Sequence, residues 1–303
     1  MNRSLLPNLA LVLVVLAAPE ASATTYNGIC EASAGAFIGA NHFVVASDET
    51  NHLRIYQRGT PDPIGSAVDM EGFTSFDKSD LEAAARIGDR VYWISSHSFN
   101  RRGEDKDERK VFFATRISVV DGQPALTGVG SPVKTLRDGI AKAAGVKPSE
   151  MNIEGLAATP GGGLLVGLRA PLQGGEAPVV PFNNPGAVVD DGAQPDFGKV
   201  MKLDLAGSGI RSLDLIGEED RPYIVVAGPV SDAADGFALY RWSGKDGDKP
   251  VKVEGAKIAG LKPEGAMAVP DQQLIQLLSD DDDRCKESDP IEKRKFRSID
   301  VQK

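Results

Sequence analysis

One pattern recurs five times in this chain of 303 residues: a short extended segment, a turn, and an apolar run that comes back. The clearest copy is Ile153-Glu154-Gly155-Leu156-Ala157-Ala158, a turn through Pro160-Gly161-Gly162-Gly163, then Leu164-Leu165-Val166-Gly167-Leu168-Arg169. A second runs Leu81-Glu82-Ala83-Ala84-Ala85, Gly88-Asp89-Arg90, Val91-Tyr92-Trp93-Ile94-Ser95. A third begins Pro263-Glu264-Gly265-Ala266 and returns as Leu274-Ile275-Gln276-Leu277-Leu278. The first copy in the chain starts at Cys30-Glu31-Ala32-Ser33-Ala34. The fourth, starting at Gly209-Ile210-Arg211-Ser212-Leu213, carries Arg where the others carry Glu. A period of roughly 40–50 residues means a solenoid, a propeller or an array, because each unit buries its apolar face only against its neighbours.

Further extended segments, alternating and bounded by Gly, Pro and Asp, follow each pair: Leu53–Tyr56, Val111–Ile117, Lys199–Leu205, Phe237–Trp242 and Lys295–Ile299 among them. Four strands per unit fit four units. The fifth lacks its outermost strand, and residues 24–29 can supply it. The expected fold is therefore all-β, a five-bladed β-propeller of four-stranded blades closed by its own N-terminal strand. A six-bladed ring is the alternative. Two stretches interrupt the pattern. Leu136, Ile140 and Ala144 have helical spacing and precede Gly145, which predicts a short helix over 133–145. Residues 174–198, rich in Gly, Pro and Asn, predict a long loop. The mixed-charge run Arg101–Lys110 reads as a solvated hairpin tip.

Residues 1–23 read as a secretory signal peptide, with Arg3 before an apolar stretch from Leu9 to Ala18 and an Ala21-Ser22-Ala23 cleavage site. The alternative is an uncleaved anchor, although the stretch is short for a membrane span. A mature chain over 24–303, periplasmic or secreted, monomeric and without a membrane span, is expected. Its two cysteines, Cys30 and Cys285, lie at the two ends of the ring, where a disulfide fastens first blade to last. Closing so long a loop stabilises by about 4–5 kcal/mol on chain-entropy grounds. The net charge of −9 lacks the basic footprint of a nucleic-acid binder, and aromatics at 6% leave few stacking platforms.

In a propeller, the start of each inner strand and the loop after the second strand lie on one face. Glu31, Glu82, Glu154 and Glu264 are thus expected to converge with Arg211 on one axial funnel. Asp48, Glu49, Asn51, His52, Ser96, His97, Arg169, Asp232, Asp235 and Asp280–Asp283 come from the loops. Carboxylates so close raise one another's pKa unless a cation intervenes. Ca²⁺, which takes six to eight oxygen ligands, fits them, with Glu82, Glu154 and Glu264 as the expected ligands. Ca²⁺ is then expected to raise the melting temperature, and Glu154→Gln to shrink that response. The alternative is that each Glu caps backbone amides at a blade start. No Walker loop, His-Glu-x-x-His helix or Gly-x-Ser-x-Gly elbow occurs, and three histidines are too scattered for zinc.

The segments Ile29–Ala34, Asn152–Leu156, Gly167–Arg169, Gly209–Ser212, Ala227–Pro229, Phe237–Trp242 and Pro263–Gly265 together resemble a bacterial family of exported proteins known as a domain of unknown function, number thirty-six sixteen. That resemblance spans nearly the whole mature chain and brings no activity with it. The Glu-Gly segments and Leu278-Ser279-Asp280-Asp281 are more weakly similar to esterase-like phytase propellers, which implies Ca²⁺-dependent phosphoester hydrolysis. The leading expectation is a funnel that binds a small polar molecule, phosphorylated in the phytase-like case, through a metal. The rivals are a Ca²⁺-dependent phosphoesterase in which Arg169 or Arg211 steadies developing charge, a glycoside hydrolase using paired carboxylates, and a non-enzymatic interaction scaffold.

Overall fold

The computed structural model describes residues 23–217, 220–231, 236–286 and 288–303. The segment read as a signal peptide, apart from Ala23, lies outside them, as do Asp232 and Asp235. Blade 1 is β2 (Ala34–Phe37), β3 (His42–Ser47), β4 (Thr50–Gln57) and β5 (Val68–Asp69). Blade 2 is β6 (Leu81–Ile87), β7 (Arg90–Ser95), β8 (Phe112–Val120) and β9 (Gln123–Val133). Blade 3 is β10 (Asn152–Ala158), β11 (Leu164–Ala170), β12 (Ala177–Phe182) and β13 (Met201–Leu203). Blade 4 is β14 (Gly209–Leu215), β15 (Tyr223–Gly228), β16 (Ala238–Trp242) and β17 (Val251–Lys252). Blade 5 joins β18 (Pro263–Ala268), β19 (Leu274–Ser279) and β20 (Lys295–Gln302) to β1 (Thr24–Asn27) in the order β1-β20-β19-β18. The inner strands β2, β6, β10, β14 and β18 touch their neighbours around a closed ring, so the protein is a five-bladed β-propeller.

Small residues let those strands crowd the axis. A Cβ on Gly155 would stand 2.7 Å from the Ile210 side chain of the next blade. One on Gly209 would stand 2.1 Å from the carbonyl oxygen of Arg169. At the closure, Tyr26 of β1 stacks on Phe296 with ring centres 5.3 Å apart and meets Phe43 edge-on at 5.2 Å. Such ring pairs stabilise beyond their buried area. The expected disulfide joins Cys30 to Cys285, with Cα atoms 5.8 Å apart.

Two sequence expectations change. Glu31 stands ahead of the first inner strand, which begins only at Ala34, and makes an isolated bridge to Asp280. Within the expected loop 174–198, the segment Pro178–Phe182 is extended as its sequence predicts, but a helix follows, Pro185–Asp191, entered at a proline and closed by Gly192 in the left-handed conformation. The mixed-charge run Arg101–Lys110 joins β7 to β8 with no buried residue, as a solvated tip is expected to be, and its Arg101, Arg102 and Arg109 also line the axial cavity. Its anchor is the expected helix, Leu136–Ala144, whose buried Arg137 pairs with Asp105 and donates to the Ser98 carbonyl at 3.2 Å.

Candidate functional site

The register of the inner strands explains why one side chain per blade enters the axis. In blades 2, 3, 4 and 5 the β-ladder skips a residue at Glu82, Glu154, Arg211 and Glu264 respectively. Each is a bulge, which leaves one residue unpaired and re-aims its side chain. All four, with Glu31, Asp48, Arg169 and Asp280, line one axial cavity of about 900 Å³. Several residues named from sequence do not line it, His97 among them. His97 is fully buried, and its Nδ1 lies 2.9 Å from the Ser95 carbonyl. Burial, helped by Arg137 and Lys110, lowers its pKa to about 4, so it is neutral at physiological pH. His52, in β4, does not line the cavity either. Asn51 is buried, donating to Thr74, Ser79 and the Phe76 carbonyl. Of the run Asp280–Asp283, only Asp280 and Asp282 reach the cavity; Asp281 is buried against Arg297, whose amide it accepts at 2.8 Å.

The cavity has two unlike walls. On the wall of blades 3 to 5, arginines hold the glutamates. Glu154 meets Arg169 Nη1 and Arg211 Nε, each at 2.8 Å, and Glu264 pairs with Arg211. Arg169 also donates to the carbonyls of Pro229 (3.3 Å) and Ser231 (2.7 Å). On the other wall, from blades 1 and 2, Arg109 pairs with Asp80 and Lys78 with Glu49, while Glu31, Asp48 and Glu82 have no ion pair among the described residues. Oxygens of Asp48, Asp80 and Glu82 all lie within 4.8 Å of one another, and so do those of Glu31, Asp48 and Glu49. Asp80 sits in a left-handed conformation with φ 51°, strained for a non-glycine residue, and is only 4% exposed. Its Oδ1 pairs with Arg109 at 2.7 Å, while its Oδ2 is buried with no hydrogen-bond donor. Burial, and then the neighbouring Asp80 charge, raises Glu82 well above the usual carboxylate range. Burial, and then Glu31, does the same to Asp48. Asp280 is pushed up to about 7 by burial and by Asp282.

The expected metal set Glu82, Glu154 and Glu264 is therefore divided between the walls. Glu154 and Glu264 are neutralised by guanidinium groups, and Glu82 faces Asp48 and Asp80 instead. No motif marks Asp80 or its pairing with Arg109. A signal for Asp80 did exist. It lies two positions before the bulge, as Asn152 does before Glu154 and Lys262 before Glu264, and all three line the cavity.

Residues 142–263 match the family model described as Protein of unknown function (DUF3616). Most of the segments that carried the sequence resemblance, from Asn152–Leu156 to Phe237–Trp242, fall inside this span, so the family resemblance is shown there. The family supplies no activity. No curated protein matches the sequence. Among solved structures, the major allergen Mala s 1 of Malassezia sympodialis is similar at a TM-score of 0.51 and 8% identity, over 91% of this chain and 95% of that one. The likeness concerns the fold alone. Glutaminyl cyclase of Myxococcus xanthus aligns at 0.49 and 11% identity, over 93% of this chain and 98% of its own. The PQQ-bound aldose sugar dehydrogenase of Streptomyces coelicolor aligns at 0.47 and 11%, over 94% and 99%.

Proposed function

We propose that this is an exported propeller whose axial cavity binds a small polar ligand through a divalent cation held by Asp48, Asp80 and Glu82. The observation that carries the reading is Asp80: a buried carboxylate oxygen without a donor, inside a set of oxygens that are all within 4.8 Å of one another. Ligands on opposite sides of Ca²⁺ are about 4.6–5.2 Å apart, twice its bond length, so such a set fits around one ion. The donors are all hard oxygens, which favours Ca²⁺ over zinc or copper. The disulfide fits an oxidising compartment. Among the described residues no helix is long and apolar enough to cross a membrane. We take the mature, monomeric chain to begin near Thr24.

The rival readings have less support. A phosphoesterase of the expected kind needs a free guanidinium in the wall, and Arg169 and Arg211 are both engaged. A glycosidase needs a carboxyl pair about 5–5.5 Å or 6.5–9.5 Å apart around an open cleft, and the clustering of oxygens within 4.8 Å favours a shared cation instead. The test is calcium titration of the mature, chelator-treated protein by calorimetry and thermal unfolding. Wild type is expected to bind and to melt higher with Ca²⁺, since a ligand of the native state stabilises it. Asp80→Asn loses most of that response. Glu154→Gln keeps it, reversing the sequence expectation, because Glu154 serves the arginines. Calcium that neither binds nor shifts melting overturns the metal reading and leaves a metal-free binder or scaffold.

A further inference from the structure

We infer that the acidic wall holds two divalent cations, with Asp48 as the carboxylate shared between them; this rests on the cation site just proposed and extends it. The two oxygen sets, Asp48–Asp80–Glu82 and Glu31–Asp48–Glu49, have Asp48 in common. A carboxylate has two oxygens and can bind one ion with each, and carboxylate-rich sites with ions about 3.5–4 Å apart are a known arrangement. Two independent orphan atoms mark the place. Asp48 Oδ1 is buried without a partner, and so is Oδ2 of Asp80, a residue only 4% exposed.

Lys78 does not stand in for the second ion. Its ammonium is on Glu49 Oε1 at 2.6 Å, which leaves Glu31 and Asp48 facing each other without a cation of their own. Three carboxylates per ion fall short of the six to eight oxygens that Ca²⁺ takes. The remaining positions face the open cavity and belong to water or to an oxygen-rich ligand that spans both ions.

The experiment uses the mature chain, stripped with chelator. Calcium calorimetry gives stoichiometry, and Mn²⁺ titration followed by electron paramagnetic resonance reports whether two ions are neighbours. Wild type is expected to bind two Ca²⁺ per chain, and its six-line Mn²⁺ spectrum to broaden as the second equivalent enters. Glu31→Gln keeps one ion and a sharp Mn²⁺ spectrum. Asp48→Asn weakens both ions at least tenfold with an unchanged circular dichroism spectrum. Should Asp48→Asn fail to fold, Glu31→Gln decides alone, since Glu31 lies outside every strand. One ion per chain in wild type overturns the pair while leaving the single-cation reading intact, and none overturns both. Two ions with an unbroadened Mn²⁺ spectrum overturn the shared Asp48.

Discussion

Glu82 and Glu154 occupy the same bulge in adjacent blades, yet they solve the problem of a buried carboxylate differently. Glu154 lies between two guanidinium groups at 2.8 Å. Glu82 has no ion-pair partner among the described residues; its neighbours are Asp80 and Asp48, and its pKa rises accordingly. The bulge fixes where the side chain points. What the carboxylate can do is fixed by the residues around it: Arg169 and Arg211 on one wall, more acids on the other. A charge placed by the fold and already neutralised serves structure. One placed by the fold and left unmatched is available to a ligand.

The largest expected effect comes from removing the shared cation of the neutralised wall. Arg211→Ala strands Glu264 and half-strands Glu154, and breaking a buried pair in this way costs about 3–5 kcal/mol. Urea unfolding of chelator-treated protein measures it. On the acidic wall the corresponding change, Asp80→Asn, weakens the pair with Arg109 but also removes repulsion from Asp48 and Glu82, and is expected to cost the chelator-treated protein clearly less. If Arg211→Ala costs under about 1 kcal/mol, or Asp80→Asn is equally damaging, the two walls do not differ as described.

Cys30→Ser comes next, at about 2–5 kcal/mol for a native disulfide in an exported domain. It also separates the walls. Cys30 precedes Glu31, and its carbonyl accepts from the Asp281 amide at 3.3 Å, beside the Glu31–Asp280 bridge. Calcium affinity is therefore expected to fall in Cys30→Ser. In Arg169→Lys, where only the far wall is altered, it should hold. Equal affinity in Cys30→Ser and wild type would detach the disulfide from the acidic wall.

The ring was legible in the sequence because its causes are periodic. The apolar pairs and the small residues after each Glu mark the bulges, and the missing last strand points to residues 24–29. The charges of the site were legible only where they repeat. Glu82, Glu154, Arg211 and Glu264 sit at equivalent positions, whereas which of them meets an arginine depends on contacts between blades that no spacing encodes. That Arg109 turns to Asp80 is not legible in a run of mixed charge, which is solvated over most of its length and gives no sign of that contact. His97 was misplaced because a loop residue gives no sign of whether it faces the axis or the core. The helix at Pro185–Asp191 was hidden by composition, although proline at its start and glycine after its end are both helix signals.

Asp214 offers a third solution and the smallest expected effect. It lies at the opposite end of β14 from Arg211, and accepts the Ala268 amide at 2.8 Å. Burial raises its pKa to about 7, with the Ala268 and Leu215 amides and Lys303 opposing. Tyr223 is the other titratable group that feels its charge. It is matched neither by a guanidinium nor by clustered acids, so a proton is its counter-charge. Because the folded pKa lies above the unfolded value, the folded state holds the proton more tightly. That contribution is complete below about pH 4 and is lost as pH rises towards 7. Asp214→Asn, which carries no charge to bury, is therefore expected to match wild type near pH 4. It should gain roughly 1 kcal/mol over wild type at pH 8, a discounted fraction of the full shift because Asp214 is partly exposed. Urea unfolding at the two pH values, with chelator present to silence the acidic wall, measures the difference. A gap that is the same at both pH values means that the proton on Asp214 does not carry it, and the division of buried carboxylates by counter-charge then fails at this residue.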